Sequence, residues 1–266
     1  MRLPHVAWLM FLVVAAWNVP AAAEIASHRA AYTLSLGSAK GSGIGAVDGA
    51  MYIDWHEACD GWTINQRMRF QIYDESGQAI DNDISFSSWE AKNGLSYRFT
   101  LRSIRNGEIN EELRGHAELD GPGKGGRAVF TLPEHQVMEL PAGTLFPTEH
   151  TIQLLQKAKA GEKIFARPVF DGATLDGALL INALILQQVP PEAAKDPKVD
   201  ATLLNRPSWR VRMAFFKLED GSAEPEYETG LRLLDNGIGT DFLFDYTDFS
   251  IRAQLQQLEP LPKPRC

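Results

Sequence analysis

Cysteine, basic charge and long apolar runs are all scarce in this sequence of 266 residues. Each shortage excludes something. Only Cys59 and Cys266 occur, with no C-x-x-C spacing, which argues against a thioredoxin-like redox centre. The 26 Lys and Arg against 34 Asp and Glu leave a net charge of -8, so the chain as a whole carries no electrostatic footprint for nucleic acid. After residue 23 no apolar run approaches the roughly 20 residues of a membrane-spanning helix, so no transmembrane segment is expected there. Chemical motifs are missing too. His28, His56, His116, His135 and His150 form no H-x-x-x-H or H-E-x-x-H pattern, and neither metal nor cofactor is expected. No G-x-S-x-G elbow offers a nucleophilic serine, and Gly41-Ser42-Gly43-Ile44-Gly45 lacks the lysine of a phosphate loop, so it reads as a turn. Carboxylate pairs such as Asp81 with Asp83 or Glu111 with Glu112 would serve glycoside hydrolysis only across a cleft, and otherwise read as solvated strand or turn residues. No catalytic residue is assigned.

What is present describes a globular chain. With 44% apolar side chains, 9% aromatic and 23% charged, it has enough material for a core without help from metal or oligomer. The N-terminus reads as an export signal. Arg2 supplies positive charge, Val6 to Ala16 are free of charge, and Val19-Pro20-Ala21-Ala22-Ala23 ends in the small residues that signal peptidase takes, so cleavage is expected after Ala23. An uncleaved anchor is the rival reading, opposed by the short apolar run. No cysteine sits at the cleavage site to support lipoprotein processing.

Export changes how the cysteines are read. An even count outside the cytoplasm favours a bond between Cys59 and Cys266 over two free thiols, with pairing of Cys266 to another chain as the alternative. Such a bond would close a loop of about 200 residues, worth at most about 5 kcal/mol by chain entropy. It would also tie down a terminus whose Leu261-Pro262-Lys263-Pro264 run cannot form a regular ladder.

Period-two alternation dominates the rest. Tyr32, Leu34 and Leu36 alternate with Thr33 and Ser35; Met51, Ile53 and Trp55 do so with Tyr52, Asp54 and His56. Trp62, Ile64, Met68, Phe70 and Ile72 keep one parity over a long strand, and the pattern returns at Leu95 to Arg102, Trp209 to Phe215 and Phe249 to Leu255. One-sided alternation of this kind belongs to antiparallel sheet wetted on one face. Asn93-Gly94 and Asn106-Gly107 are hairpin signals, and Glu75-Ser76-Gly77, Asp220-Gly221 and Asn236-Gly237 mark further reversals. Gly121 to Gly126 reads as a floppy loop. One amphipathic helix is expected, capped by Thr148 or a neighbour, with Ile152, Leu154, Leu155 and Ala158 on its apolar face, and stopped by Gly161. Residues 189 to 207 read as an irregular connection with a short helical turn near Glu192 to Lys195. Neither a composition break nor a fixed repeat divides the chain. Unpaired edges of a long meander invite aggregation, so the expected fold is all-β, a curled antiparallel sheet with one helix. Arg67 and Arg69, with Arg98 and Arg102 on a neighbouring strand, form either a basic strip for an anionic partner or cross-strand pairs with acidic residues.

His28-Arg29-Ala30-Ala31-Tyr32, Cys59-Asp60-Gly61-Trp62-Thr63 with Gln66-Arg67, Phe146-Pro147-Thr148 with His150-Thr151, and the terminal Cys266 stand in an order and spacing that resemble the cell envelope integrity EipB family of exported bacterial proteins. The likeness runs from about residue 25 to the C-terminus. It implies a single bent antiparallel β-spiral domain over 24–266, a periplasmic location, a family disulfide between Cys59 and Cys266, and a role in envelope integrity, with no catalytic residues. Two modes of action are expected from this. The first is a non-enzymatic protein that binds another envelope protein; the second is a carrier that holds a lipid or lipoprotein acyl chain in a cavity of the curled sheet.

Overall fold

The alternating segments do become strands, and the turn dipeptides fall between them. In the computed structural model the described residues are 25–218 and 223–266. The signal read over residues 1–23 and the turn read at Asp220-Gly221 lie outside them. The first strands follow one another directly: β1 (His28–Ser38), β2 (Ile44–Glu57), β3 (Gly61–Asp74), β4 (Ala79–Ala91), β5 (Ser96–Arg105), β6 (Glu108–Leu119), β7 (Gly126–Leu132) and β8 (Gln136–Leu140). Helix α1 (Pro147–Lys159) follows, then β9 (Ile164–Val169), β10 (Leu179–Val189), the short α2 (Ala201–Leu204), β11 (Ser208–Lys217), β12 (Tyr227–Leu234), β13 (Gly239–Asp245) and β14 (Ser250–Pro260).

All of these strands join one 14-stranded sheet in the order β8-β7-β6-β5-β4-β3-β2-β1-β14-β13-β12-β11-β10-β9. Neighbours are antiparallel throughout. The hairpin at Asn106-Gly107 holds both residues at positive φ, 51° and 83°, the backbone that a two-residue turn matching strand twist requires. The first and last strands are paired at the centre, Tyr32 facing Leu255 and Leu34 facing Ala253. The sheet does not close into a barrel: β8 and β9 remain its two ends.

The sheet is curled. In a flat sheet β5 and β9 would lie on the order of 45 Å apart at the usual strand spacing. Phe170, just beyond β9, nevertheless packs edge-on against Phe99 of β5 with ring centroids 5.5 Å apart, and against Phe130 of β7 at 6.1 Å. Gly172 makes this approach possible. Its φ is +71°, and a Cβ there would stand 2.4 Å from the Phe99 ring. Apolar residues of the inner face form a core around Tyr97, Phe99, Phe130, Phe146 and Phe170, and a second around Tyr32, Met51, Leu234, Ile238 and Ile251. A third is where α1 lays Leu154, Leu155 and Ala158 against Phe165, Ile185, Trp209 and Leu231.

Three local expectations need correction. Thr148 does not cap α1: Phe146 is the capping position and makes no side-chain bond, because Pro147 opens the helix with its preset φ. The short helical turn is at Ala201–Leu204 instead of Glu192 to Lys195, since the Asp200 carboxylate accepts from the Thr202 and Leu203 N–H groups. The segment from Gly121 to Gly126 is a pinned turn, with Lys124 N–H donating to Gly121, Asp120 N–H to Gly125 and Gly143 N–H to Gly123. Gly161 does stop α1, at φ +79°, with Gly161 N–H donating to the Ala158 carbonyl and Glu162 N–H to that of Lys157.

Cys59, in the β2–β3 turn, is bonded to Cys266, 207 positions further along the chain, with Cα atoms 5.6 Å apart. None of residues 261–266 is buried. The covalent tie therefore does work that packing does not. Cys59→Ser is expected to cost about 2–5 kcal/mol of stability, and wild type in strong reductant should melt at the temperature of the mutant. Identical melting of oxidised wild type and Cys59→Ser would refute a stabilising role.

Candidate functional site

Buried polar groups gather at the N-terminal end of α1. Glu90 of β4 is only 2% exposed, and its two carboxylate oxygens accept from the N–H groups of Thr148 at 2.7 Å and Glu149 at 2.8 Å. It is the cap that the local sequence of α1 does not supply, placed where the helix dipole favours negative charge. Burial pushes its pKa up to about 7, against the pull of those two N–H groups. His150, one turn into α1 and 5% exposed, stacks on Phe165 at 5.3 Å, and burial brings its pKa down to about 4. The Tyr97 hydroxyl donates to the Asp171 carbonyl at 3.0 Å, joining β5 to the segment after β9. The disulfide lies at this same end. Lys92 pairs with Glu57 at 2.7 Å, lies over the Trp62 ring, and donates its backbone N–H to Asp60 in the turn that holds Cys59. Glu90 and Tyr97 thus hold elements together, while the buried Thr148 Oγ1 and His150 Nε2 have no hydrogen-bond partner.

The inner face is not sealed along its whole length. Trp62, Ile64, Met68, Phe70 and Ile72 of β3 point inward with the parity that the sequence requires, yet all five are only half-buried, as are Ile84 and Phe86 of β4. At the β8 end a groove of about 810 Å³ runs beside the terminal strand, floored by Met138, Leu140 and Pro141 and walled by Leu175, Ala178 and Leu218. Val137 projects from the same strand with 50% of its surface exposed.

On the outer face the two readings of the arginines divide. Arg67 and Arg69 both bind Asp83, Arg67 through two bonds at 2.8 and 3.0 Å, which is the cross-strand pairing alternative. Arg98 instead lies over the Trp89 ring at 5.1 Å, and Arg102 stands opposite Glu112 in the register. The sequence signal that separates them is the strand partner: Asp83 faces Arg69, whereas Trp89 faces Arg98. Asp81 accepts from Gln71, so the Asp81 and Asp83 pair is used within the sheet. The Gly41 to Gly45 segment is a turn between β1 and β2 with Gly41 and Gly43 at positive φ. His28 is buried and bonded to the Ala26 carbonyl, and no group of three His, Cys, Asp or Glu among the described residues is placed to hold a metal. No helix among the described residues is long and apolar enough to cross a membrane.

Comparison with known proteins agrees with this architecture. The EipB-like family model matches residues 20–262. The cell envelope integrity protein EipB of Brucella abortus (strain 2308) is 31% identical over 250 residues, spanning 91% of this chain and 86% of that protein. A crystal structure of a β-barrel-like protein of domain of unknown function DUF1849 from Brucella abortus superposes with a TM-score of 0.81 at 28% identity, covering 90% of this chain and 99% of that one.

The Glu90 cap has a pH signature. Its folded pKa is raised above the unfolded value of 4.5, so its contribution to stability is present below pH 4.5 and is lost as pH rises through about 7. His150 has the opposite sense: its folded pKa is depressed below 6.5, so stability falls as pH drops from 6.5 towards about 4. Glu90→Gln removes only the first effect. Relative to wild type, the variant should gain stability between pH 5 and pH 8, on the order of 3 kcal/mol at most, read from urea midpoints across that range. Parallel pH profiles for the two proteins would rule this out.

Proposed function

This chain belongs to the EipB-like family, and we propose on that footing that it supports the integrity of a bacterial cell envelope from the periplasm, without catalysis, by binding another envelope protein. The compartment follows from the export signal read over residues 1–23. The observation that carries the binding mode is the open end of the sheet. Among the described residues β8 has no strand on its far side, and its neighbouring groove of about 810 Å³ offers Met138, Leu175 and Leu218 to an incoming apolar side chain. An unpaired strand edge is a template for main-chain hydrogen bonds, and pockets beside it select alternate side chains. The partner this suits is a protein presenting an extended segment.

A second reading is kept alive by the inner face. Half-buried Trp62, Ile64, Met68 and Phe70 would suit an acyl chain of a lipid or lipoprotein as cargo.

In a strain lacking the protein, wild type should restore survival under detergent stress. Val137→Lys combined with Leu175→Lys, which charges the exposed edge and its groove, should restore several-fold less while melting at the wild-type temperature. Full rescue by the charged variant would remove the edge from the mechanism, and failure of wild type to rescue would remove the envelope role. Native mass spectrometry of the purified protein, with a fluorescent fatty acid as probe, decides the cargo reading: an empty protein that takes up none is not a carrier.

A further inference from the structure

The outer face of the sheet holds a groove that neither the core nor the β8 edge uses. It has a volume of about 780 Å³ and crosses from β3 to β7, reaching from Thr63 and Asn65 to Thr131. Five adjacent strands span roughly 20 Å, the length of a short oligomer rather than of a single small ion. Gly115 contributes backbone to its floor, its Cβ position facing inward with its register partner Phe99.

Two guanidinium groups line this groove, from Arg98 and Arg114. Among the described residues neither side chain has a hydrogen bond or an ion pair; Arg98 is held only over the Trp89 ring, at 5.1 Å. Some arginines of this acidic chain are paired, with Arg29 on Asp54, Arg206 on Asp235 and Arg67 on Asp83; Arg98 and Arg114 differ from the remaining unpaired ones in lining one groove together. The carboxylate in the groove, Glu118, accepts from the Ser96 hydroxyl at 2.7 Å and makes no ion pair with either arginine. Stacking on an indole restrains Arg98 while leaving its N–H donors unused, which lowers the entropy lost when a planar anion is bound. Guanidinium groups take carboxylates through two parallel bonds.

Hydroxyl groups make up much of the remaining lining, beside the Asn65 amide and the His116 imidazole. Thr63, Ser87, Thr100 and Thr131 can each donate and accept, and the Ser87 hydroxyl donates to Asn65 Oδ1 at 2.9 Å. That bond leaves the Asn65 amide NH₂ free to donate outward. Such a set matches a ligand rich in hydroxyl groups, with the Trp89 indole as a face on which a sugar ring can lie. We propose that this groove binds a carboxylate-bearing glycan, with Arg98 and Arg114 taking the carboxylates and the threonine, serine and asparagine groups taking sugar hydroxyls. The site is separate from the β8 edge, so its failure would leave the protein-binding reading intact.

Titration calorimetry of the purified protein with tetragalacturonate tests this, alongside uncharged chitotetraose and a tetraglutamate peptide. Tetragalacturonate should bind, and Arg98→Gln and Arg114→Gln should each weaken it at least tenfold with unchanged melting temperature. Raising salt to 0.5 M should weaken it as well, on the order expected for screened charges. Arg67→Gln, on the same face but paired with Asp83, should bind like wild type and guards against a general loss of fold or charge. Absence of tetragalacturonate binding, equal binding by Arg98→Gln and Arg114→Gln, equal binding of chitotetraose, or tighter binding of the peptide would each overturn the assignment.

Discussion

Backbone pairing between the first and last strands is the constraint on which this molecule depends. With β1 hydrogen-bonded to β14, both ends of the strand sequence are locked in the middle of the sheet, and the middle of the chain is sent to its two outer ends. The connection from β8 to β9 must then span the whole sheet. Laid flat, fourteen strands would separate those ends by about 60 Å, while the 13 residues of α1 cover only about 20 Å of it. The sheet has to curl for the chain to be continuous. That curl creates an inside for α1 to fill, and it carries Phe146 and Phe170 onto Tyr97 and Phe99 from the far end of the strand order. The disulfide acts on the same constraint, because the tail it holds leaves directly from β14 and Cys59 sits in the turn after β2, the strand beside β1.

Placing a helix inside a curled sheet raises the cost of its unsatisfied ends. The C-terminal end of α1 is completed locally by Gly161 and Glu162. The N-terminal end borrows Glu90 from a strand 58 positions earlier in the chain. A buried carboxylate is costly, and the two helix N–H groups offset only part of that cost, which is why burial dominates its proton affinity. Electrostatics here is a means of docking the helix in one position.

This division explains what was legible in the sequence. Alternation is a local property, so the strands around Tyr32, Trp62, Tyr97, Trp209 and Ile251 could be read with their buried faces, as could the hairpins at Asn93-Gly94 and Asn106-Gly107. The apolar run of β10, Leu179 to Ile185, has much weaker alternation and was not resolved as a strand. The cap of α1 is not legible near Thr148 or its neighbours because it is a tertiary contact, Glu90, with no signature near residue 147. The short helix at Ala201–Leu204 did carry a local signal, Asp200 followed by Thr202, which the neighbouring prolines masked. The arginines stay open for the same reason as the cap: whether Arg69 or Arg98 is neutralised depends on which residue of β4 stands opposite, and register is set by the whole meander.

Register also separates the tasks of the two faces. On β4, Ser88 and Glu90 point inward to the helix while Ser87 and Trp89 point outward; on β5, Tyr97 and Phe99 enter the core while Arg98 and Thr100 face solvent. Adjacent residues thus answer to unrelated demands. Replacing an inward residue disturbs packing that spans ten strands of the sheet order, whereas replacing an outward one changes a surface and little else. A curled open sheet of this kind can hold its architecture through its inward parity and its β1–β14 seam, and leave the outward parity and the β8 edge free of that duty.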